Sequence, residues 1–151
     1  MFAIKMLGIS LIVTASAVTG FLKSSSLTAR CKKLSAVCEG ADALYEYIDQ
    51  GGCELDTAIK NAFSKCDFLN FKNGEIFCCD GDLKSEDKSV ISDFFSSLGA
   101  SAKKAECDRI INFKLKMKTH LKQAQNDEIQ KSKIYRVLGI CTGLTVGILL
   151  I

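Results

Sequence analysis

The sequences MLGISLIVTASAVTGFL (residues 6–22) and VLGICTGLTVGILLI (residues 137–151) are the two long uncharged stretches of this chain. As helices they extend about 25 Å and 22 Å, because a helix rises about 1.5 Å per residue. The hydrocarbon core of a bilayer is about 30 Å thick, and Ile134 and Tyr135 lengthen the second stretch. The pattern predicts a membrane hairpin, in which transmembrane helices at residues 6–22 and 137–151 enclose a domain at residues 23–136.

Basic residues flank the two stretches unequally. Only Lys5 precedes the first stretch, whereas eight lysines and arginines border the central segment, at positions 23, 30, 32, 33, 122, 131, 133 and 136. Short loops rich in lysine and arginine stay on the cytoplasmic side of a membrane. The sequence therefore predicts a cell-membrane protein whose soluble domain is cytoplasmic.

A cleaved leader is the alternative interpretation of the amino-terminal stretch. Ala15-Ser16-Ala17 resembles the cleavage site of a signal peptide. With its eight cysteines, the chain would then be a secreted or surface-anchored binding protein that disulfides stabilise. Lys133 and Arg136 argue against a lipid anchor at the carboxyl end, since such an anchor needs small residues and a polar spacer.

Periodic apolar residues predict an all-α fold. Residues 27, 31, 34, 38, 41, 45 and 48 follow a heptad pattern, which predicts one continuous helix from the membrane to about residue 49, ended by Gly51 and Gly52. Apolar residues at 110, 113, 117, 121 and 124 predict a second long helix that begins near Lys103 and enters the membrane. The expected architecture is a cytosolic helical bundle on two long helices.

Shorter elements are expected between the two long helices. One helix is predicted at residues 54–66, and another begins at Ser85, the predicted N-cap, and ends at Gly99. Residues 68–82 contain an Asn-Gly and an Asp-Gly turn signal. A β-hairpin fits these signals, but a broken helix or loop agrees better with an otherwise helical chain.

Composition and motifs argue against several classes of function. The central segment carries 19 basic and 17 acidic residues in alternating order, which is not typical of a nucleic-acid-binding protein. The chain has no nucleotide-binding P-loop, no serine-hydrolase elbow and no zinc-protease motif. Its one histidine, His120, is expected to be exposed among lysines. We therefore expect no catalytic, cofactor-binding or metal-binding residues, no cofactor and no enzyme activity.

The cysteines permit two interpretations. Cys31 and Cys38 lie on the heptad stripe and Cys141 lies in the second uncharged stretch, where a thiol acts as a small apolar side chain. The adjacent Cys78 and Cys79 would suit metal or redox chemistry, although no C-x-x-C motif and no nearby histidine support it. A thiol enzyme is therefore a third class of function to test.

Glycines recur at every fourth residue of the second uncharged stretch. Gly139, Gly143 and Gly147 lie on one helix face, where the missing side chains allow another helix to approach closely. The first stretch has a looser small-residue face, formed by Gly8, Ala15 and Thr19. We predict that the three glycines are helix-packing residues, either within the hairpin or with another chain, so a homo-oligomer is one expected outcome.

Several short motifs, taken in order, resemble the stage III sporulation protein AB family. Residues 5–8 (KMLG) and 19–21 (TGF) are similar to the first span of that family, and residues 133–144 (KIYRVLGICTGL) are similar to its last. The heptad helix also lies in the expected place. Ala102 and Glu106 depart from the pattern, which has an acidic residue and a glutamine there, and the segment around the paired cysteines has no counterpart.

This resemblance implies a non-enzymatic membrane platform of the channel complex that links mother cell and forespore during endospore development. The family is similar to platform proteins of type II secretion and type IV pilus systems, whose cytosolic helical domains meet an assembly ATPase. The implied location is the mother-cell membrane that faces the forespore. The implied partners are other proteins of the channel complex, including a separate cytosolic ATPase.

Overall fold

Two long helices contain most of the chain in the computed structural model, which describes residues 2–51, 54–72, 75–78, 81–100 and 102–149. Helix α1 spans Phe2–Gln50 and helix α4 spans Lys103–Leu149. Between them lie α2 (Leu55–Ala62), β1 (Leu69–Lys72), β2 (Glu75–Cys78) and α3 (Ser85–Ser96). The predicted all-α class and both long helices are confirmed, since the other described elements are two short helices and two short strands.

The chain divides into two compact units, and α1 and α4 each contribute to both. The terminal unit comprises Met1–Ala29 and Ala124–Ile151, and the central unit comprises Arg30–Gln123. Within the part of the chain that the structure describes, no helix offers a stretch that is both long enough and apolar enough to cross a membrane.

The central unit is built around the heptad stripe of α1. Four residues of this stripe, Cys31, Leu34, Cys38 and Ala41, are buried, whereas Tyr45 and Ile48 are half-buried. Val37 and Leu44, which lie beside the stripe, are buried as well. From α4, Ile110, Phe113 and Met117 are buried in the same core, and the Phe113 ring stacks on Phe94 of α3 at a centroid distance of 3.8 Å. Burying one such large apolar side chain contributes about 1.5–3 kcal/mol, so this core holds the three helices together.

Gly51 ends α1 where the sequence predicts, whereas α3 ends at Ser96, three residues before the predicted Gly99. Gly51 has a φ of +68° and Gly99 a φ of +88°, the left-handed conformation that glycine adopts without a Cβ clash. The prediction of Ser85 as N-cap was wrong by one residue. The cap position is Lys84, whose backbone N–H donates to the Asp87 carboxylate at 3.2 Å. A carboxylate in the first turn thus satisfies the amide at this helix start.

Strands β1 and β2 pair in antiparallel orientation, so the preference for a broken helix or loop was wrong. Leu69 pairs with Cys78 and Lys72 pairs with Glu75. Asn-Gly is the sequence that favours the tight turn of a hairpin, and this local signal outweighed the helical character of the neighbouring segments. The proposed thiol pair lies outside the described residues, because they include neither Cys79 nor the side chain of Cys78.

Candidate functional site

The two helices of the terminal unit meet along a seam of small residues. A Cβ added to Gly20 would lie 2.6 Å from the carbonyl oxygen of Tyr135, and one added to Gly139 would lie 2.9 Å from the carbonyl oxygen of Ser16. A Cβ at Gly143 would lie 3.1 Å from a Cα atom of α1. Ordinary contacts begin at 3.4 Å, so the backbones of α1 and α4 touch at these glycines.

An interhelical hydrogen bond crosses the seam beside Gly139. Ser16 Oγ donates to the Gly139 carbonyl oxygen at 2.6 Å and lies 3.0 Å from Thr142 Oγ1. Thr142 in turn donates to the Leu138 carbonyl oxygen at 2.7 Å. Of the three glycines singled out in the sequence, Gly139 and Gly143 lie on this seam, and the surroundings of Gly147 are outside the described residues.

The small-residue face expected on the first stretch is not the face that contacts α4. A Cβ at Gly8 would have no described atom within 4 Å, and Ala15 and Thr19 are exposed. The contacting face contains Ser16 and Gly20 instead. These two residues are four apart, as Ala15 and Thr19 are, so the spacing of small residues does not by itself distinguish the two faces.

A group of three polar side chains, here called the polar clasp, joins the same two helices. Ser24 Oγ lies 2.5 Å from Ser132 Oγ, and the two residues are 1% and 7% exposed. Arg136 donates from Nε to Ser24 Oγ at 2.9 Å and from Nη2 to Ser132 Oγ at 3.3 Å. The guanidinium carbon also lies 6.0 Å from the centroid of the Phe21 ring. The clasp therefore satisfies two buried hydroxyls and fixes the position of a cation.

A buried charge cluster joins three helices of the central unit. Arg30 of α1 donates from Nε to Asp87 Oδ2 at 2.7 Å and from Nη2 to Oδ1 at 3.0 Å. His120 of α4 places Nδ1 2.6 Å from Oδ1 of the same carboxylate, and Asp87 itself is fully buried. Burial alone raises the pKa of Asp87, but the hydrogen bonds from Arg30 and His120 and the charge of Arg30 bring that pKa below its ordinary value.

The expectation that His120 is exposed was wrong, because its side chain is only 19% exposed. A carboxylate only accepts, so Nδ1 of His120 carries a proton and Nε2 faces away from Asp87. The geometry is that of an ion-pair network that ties α1, α3 and α4 together. Sequence reasoning missed it because the three partners are far apart along the chain.

Among the described cysteines, Cys38, Cys66, Cys107 and Cys141 have free thiols. Burial raises the pKa of Cys38 and raises the pKa of Cys66 to about 11. Because the thiolate is the reactive form, these two side chains are poor nucleophiles at neutral pH. Among the described residues, no group of three or more His, Cys, Asp or Glu side chains is placed to hold a metal ion.

Comparison with known proteins identifies one family. The model of the stage III sporulation protein AB family matches residues 75–151, about half of the chain. The matched residues include α3, α4 and with them Gly139, Gly143 and Arg136, whereas the motifs at residues 5–8 and 19–21 precede the match. No curated protein and no solved structure matches the chain.

Proposed function

The chain belongs to the stage III sporulation protein AB family, and from that premise we propose that it is a non-enzymatic membrane scaffold of the channel complex between mother cell and forespore. Membership of this family implies a role in sporulation. The scaffold role, the membrane hairpin and the partners are the proposal. They rest on the surface chemistry of the terminal unit and on the resemblance described above.

Exposed apolar side chains on the terminal unit are the observation that carries this proposal. Of the 16 large apolar side chains that are exposed in the described residues, 13 belong to this unit, including Leu11 at 67% and Ile148 at 72%. Extended apolar surface marks a contact with protein or membrane. The neighbours Val137 and Leu138 are both exposed, and consecutive helical residues point about 100° apart. A bilayer explains why apolar side chains are exposed in several directions, because it surrounds the helix pair on all sides.

Four threonine hydroxyls of the same helices are satisfied without water. Four threonines donate to the carbonyl oxygen one turn earlier, at 2.7–3.0 Å: Thr14, Thr19, Thr142 and Thr145. In hydrocarbon an unsatisfied polar group costs several kcal/mol, so internal hydrogen bonds of this kind are required there. This pattern supports insertion of residues 6–22 and 137–151 as a hairpin.

Basic residues support one orientation of this hairpin. Of the lysines and arginines beside the two uncharged stretches, all except Lys5 lie on the side of the central segment. We infer that residues 23–136 lie in the mother-cell cytoplasm, where the helical bundle is available to other channel-complex proteins and to a separate assembly ATPase. The buried ion pair between Arg30 and Asp87 helps to hold the bundle in one arrangement.

Membrane insertion and orientation are tested together on the full chain in its native cells. The protein should resist alkaline carbonate extraction, and trypsin should cut the central segment in inside-out vesicles but not in intact protoplasts. The mass of the mature protein should include residues 1–17. Release by carbonate, cleavage in protoplasts, or a mature chain that begins near Val18 would contradict the proposal and favour the secreted binding protein.

The sporulation role is tested by deleting the gene. Spore development should stop after engulfment while vegetative growth continues, and the intact gene should restore spore yield. Crosslinking in sporulating cells, followed by identification of the partners, should recover channel-complex proteins. Normal spore yield from the deletion strain would refute the proposed scaffold.

A further inference from the structure

An apolar groove on the terminal unit ends at a fixed cation. The groove has a volume of about 370 Å³ and lies between α1 and α4; its lining residues are Ala17, Val18, Phe21, Leu22, Arg136 and Ile140. Arg136 is the one charged residue of this lining. The volume falls in the range of about 300–1,000 Å³ that is common for small-molecule sites.

The Arg136 guanidinium is held in position and carries an uncompensated charge. The polar clasp binds its Nε and Nη2 atoms, which leaves the other N–H donors of this exposed side chain available. Within the described residues, no carboxylate lies within ion-pair distance of Arg136 or of Lys133, one helical turn earlier. A fixed guanidinium beside an ammonium group is a favourable site for a phosphate.

We propose that this groove binds an anionic phospholipid, with one acyl chain in the apolar part and the phosphate at Arg136 and Lys133. The inference rests on the membrane insertion proposed above. Charge complementarity selects this occupant, because the apolar walls accept a chain and the two cations accept a negative headgroup. Basic pockets between membrane helices bind acidic lipids by the same combination of contacts.

The spacing along α1 matches the two parts of such a lipid. Ser24, which holds Arg136, and Ala17, the lining residue of α1 farthest from it along the helix, are seven residues apart, or about 10 Å. The cation therefore lies at one end of the groove and the apolar lining extends away from it. A phosphate at Arg136 directs the attached chain along Ala17 and Ile140.

Lipid retention tests the site on the full chain. The protein is reconstituted in nanodiscs of equimolar phosphatidylglycerol and phosphatidylcholine, extracted in mild detergent, and the lipid that remains bound is measured by mass spectrometry. We expect about tenfold more phosphatidylglycerol than phosphatidylcholine, since a charge-assisted contact corresponds to a factor of about ten or more. Arg136→Gln should abolish this preference, whereas Lys23→Gln, also beside a predicted span but absent from the groove lining, should keep it.

A second pair of variants tests the apolar part and leaves the cations in place. Ala17→Leu fills the groove and should reduce the retained phosphatidylglycerol about tenfold, whereas Ala15→Leu adds the same group at an exposed position outside the groove and should not. Equal retention in Arg136→Gln and Lys23→Gln, or in the two leucine variants, would overturn the site. A carbonate-resistant chain without lipid preference would refute only the lipid site. Extraction by carbonate would refute the membrane placement and the lipid site together.

Discussion

Alanine at Gly20 is expected to separate α1 from α4 in the terminal unit. Its Cβ would lie 2.6 Å from the Tyr135 carbonyl oxygen, and ordinary contact requires 3.4 Å, so the helices must move apart locally by about 0.8 Å. A gap of about 0.5–1 Å removes roughly a quarter to a half of the dispersion attraction of the atoms that it separates. Overpacking of this kind costs about 1–3 kcal/mol. The same substitution at Gly8 meets no described atom within 4 Å and should gain up to about 1 kcal/mol in helix propensity.

The distances predict a graded series rather than a single effect. Gly139→Ala and Gly143→Ala place Cβ atoms 2.9 Å and 3.1 Å from backbone atoms, so their costs should be intermediate and decrease in that order. The assay is unfolding of the full chain in detergent micelles titrated with SDS, followed by energy transfer between dyes attached to the two chain ends. Midpoints should increase in the order Gly20→Ala, Gly139→Ala, Gly143→Ala, Gly8→Ala. Equal midpoints for Gly8→Ala and Gly20→Ala would show that the seam does not hold α1 and α4 together in the terminal unit.

Three further predictions concern the seam, the charge cluster and a buried thiol. Gly143→Leu should insert into the membrane normally but should lower the recovery of the complex and the spore yield. Thr145→Leu, at an exposed position, should lower neither of them. Equal spore yields from the two variants would mean that the glycine contact is dispensable. Asp87→Asn should cost about 3–5 kcal/mol in urea unfolding at pH 7, because it leaves the buried Arg30 without its counter-charge. The pKa of Asp87 is lower in the folded chain than in the unfolded chain, where it is about 3.9. Its contribution to the free energy of unfolding is therefore complete above about pH 3.9 and is lost as the pH falls through the folded pKa. If the variant lost as much stability in acid as the native chain, this argument would be contradicted. Because burial raises the pKa of Cys66 to about 11, this thiol should react with iodoacetamide roughly a hundredfold more slowly than a thiol of pKa 9.0. Unfolding in urea should remove that protection. Fast alkylation of Cys66 in the native chain would refute the burial argument.

Local sequence patterns were sufficient for the helical part of the fold. The heptad stripe predicted α1 and, within it, the buried residues Cys31, Leu34, Cys38 and Ala41. The spacing at Ile110 and Met117 likewise predicted α4 and its buried face. Periodicity and helix-ending glycines are properties of neighbouring residues, so they can be recognised before any tertiary contact is known. The pairing of β1 with β2 was the exception, because the turn signal between the two strands competed with a helical context.

The amino-acid order alone thus determined where the long helices run, which residues of the central unit form its core, and which family the chain resembles. Only the tertiary structure decided which face of α1 meets Gly139. That face contains Ser16 and Gly20, and it is not the face of Gly8, Ala15 and Thr19 noted in the sequence. The tertiary structure also decided that His120 binds Asp87 instead of solvent. The physical reason is that helix formation depends on residues within one or two turns, whereas these contacts join side chains far apart in the chain. Their geometry depends on how closely two backbones approach, which no local pattern specifies.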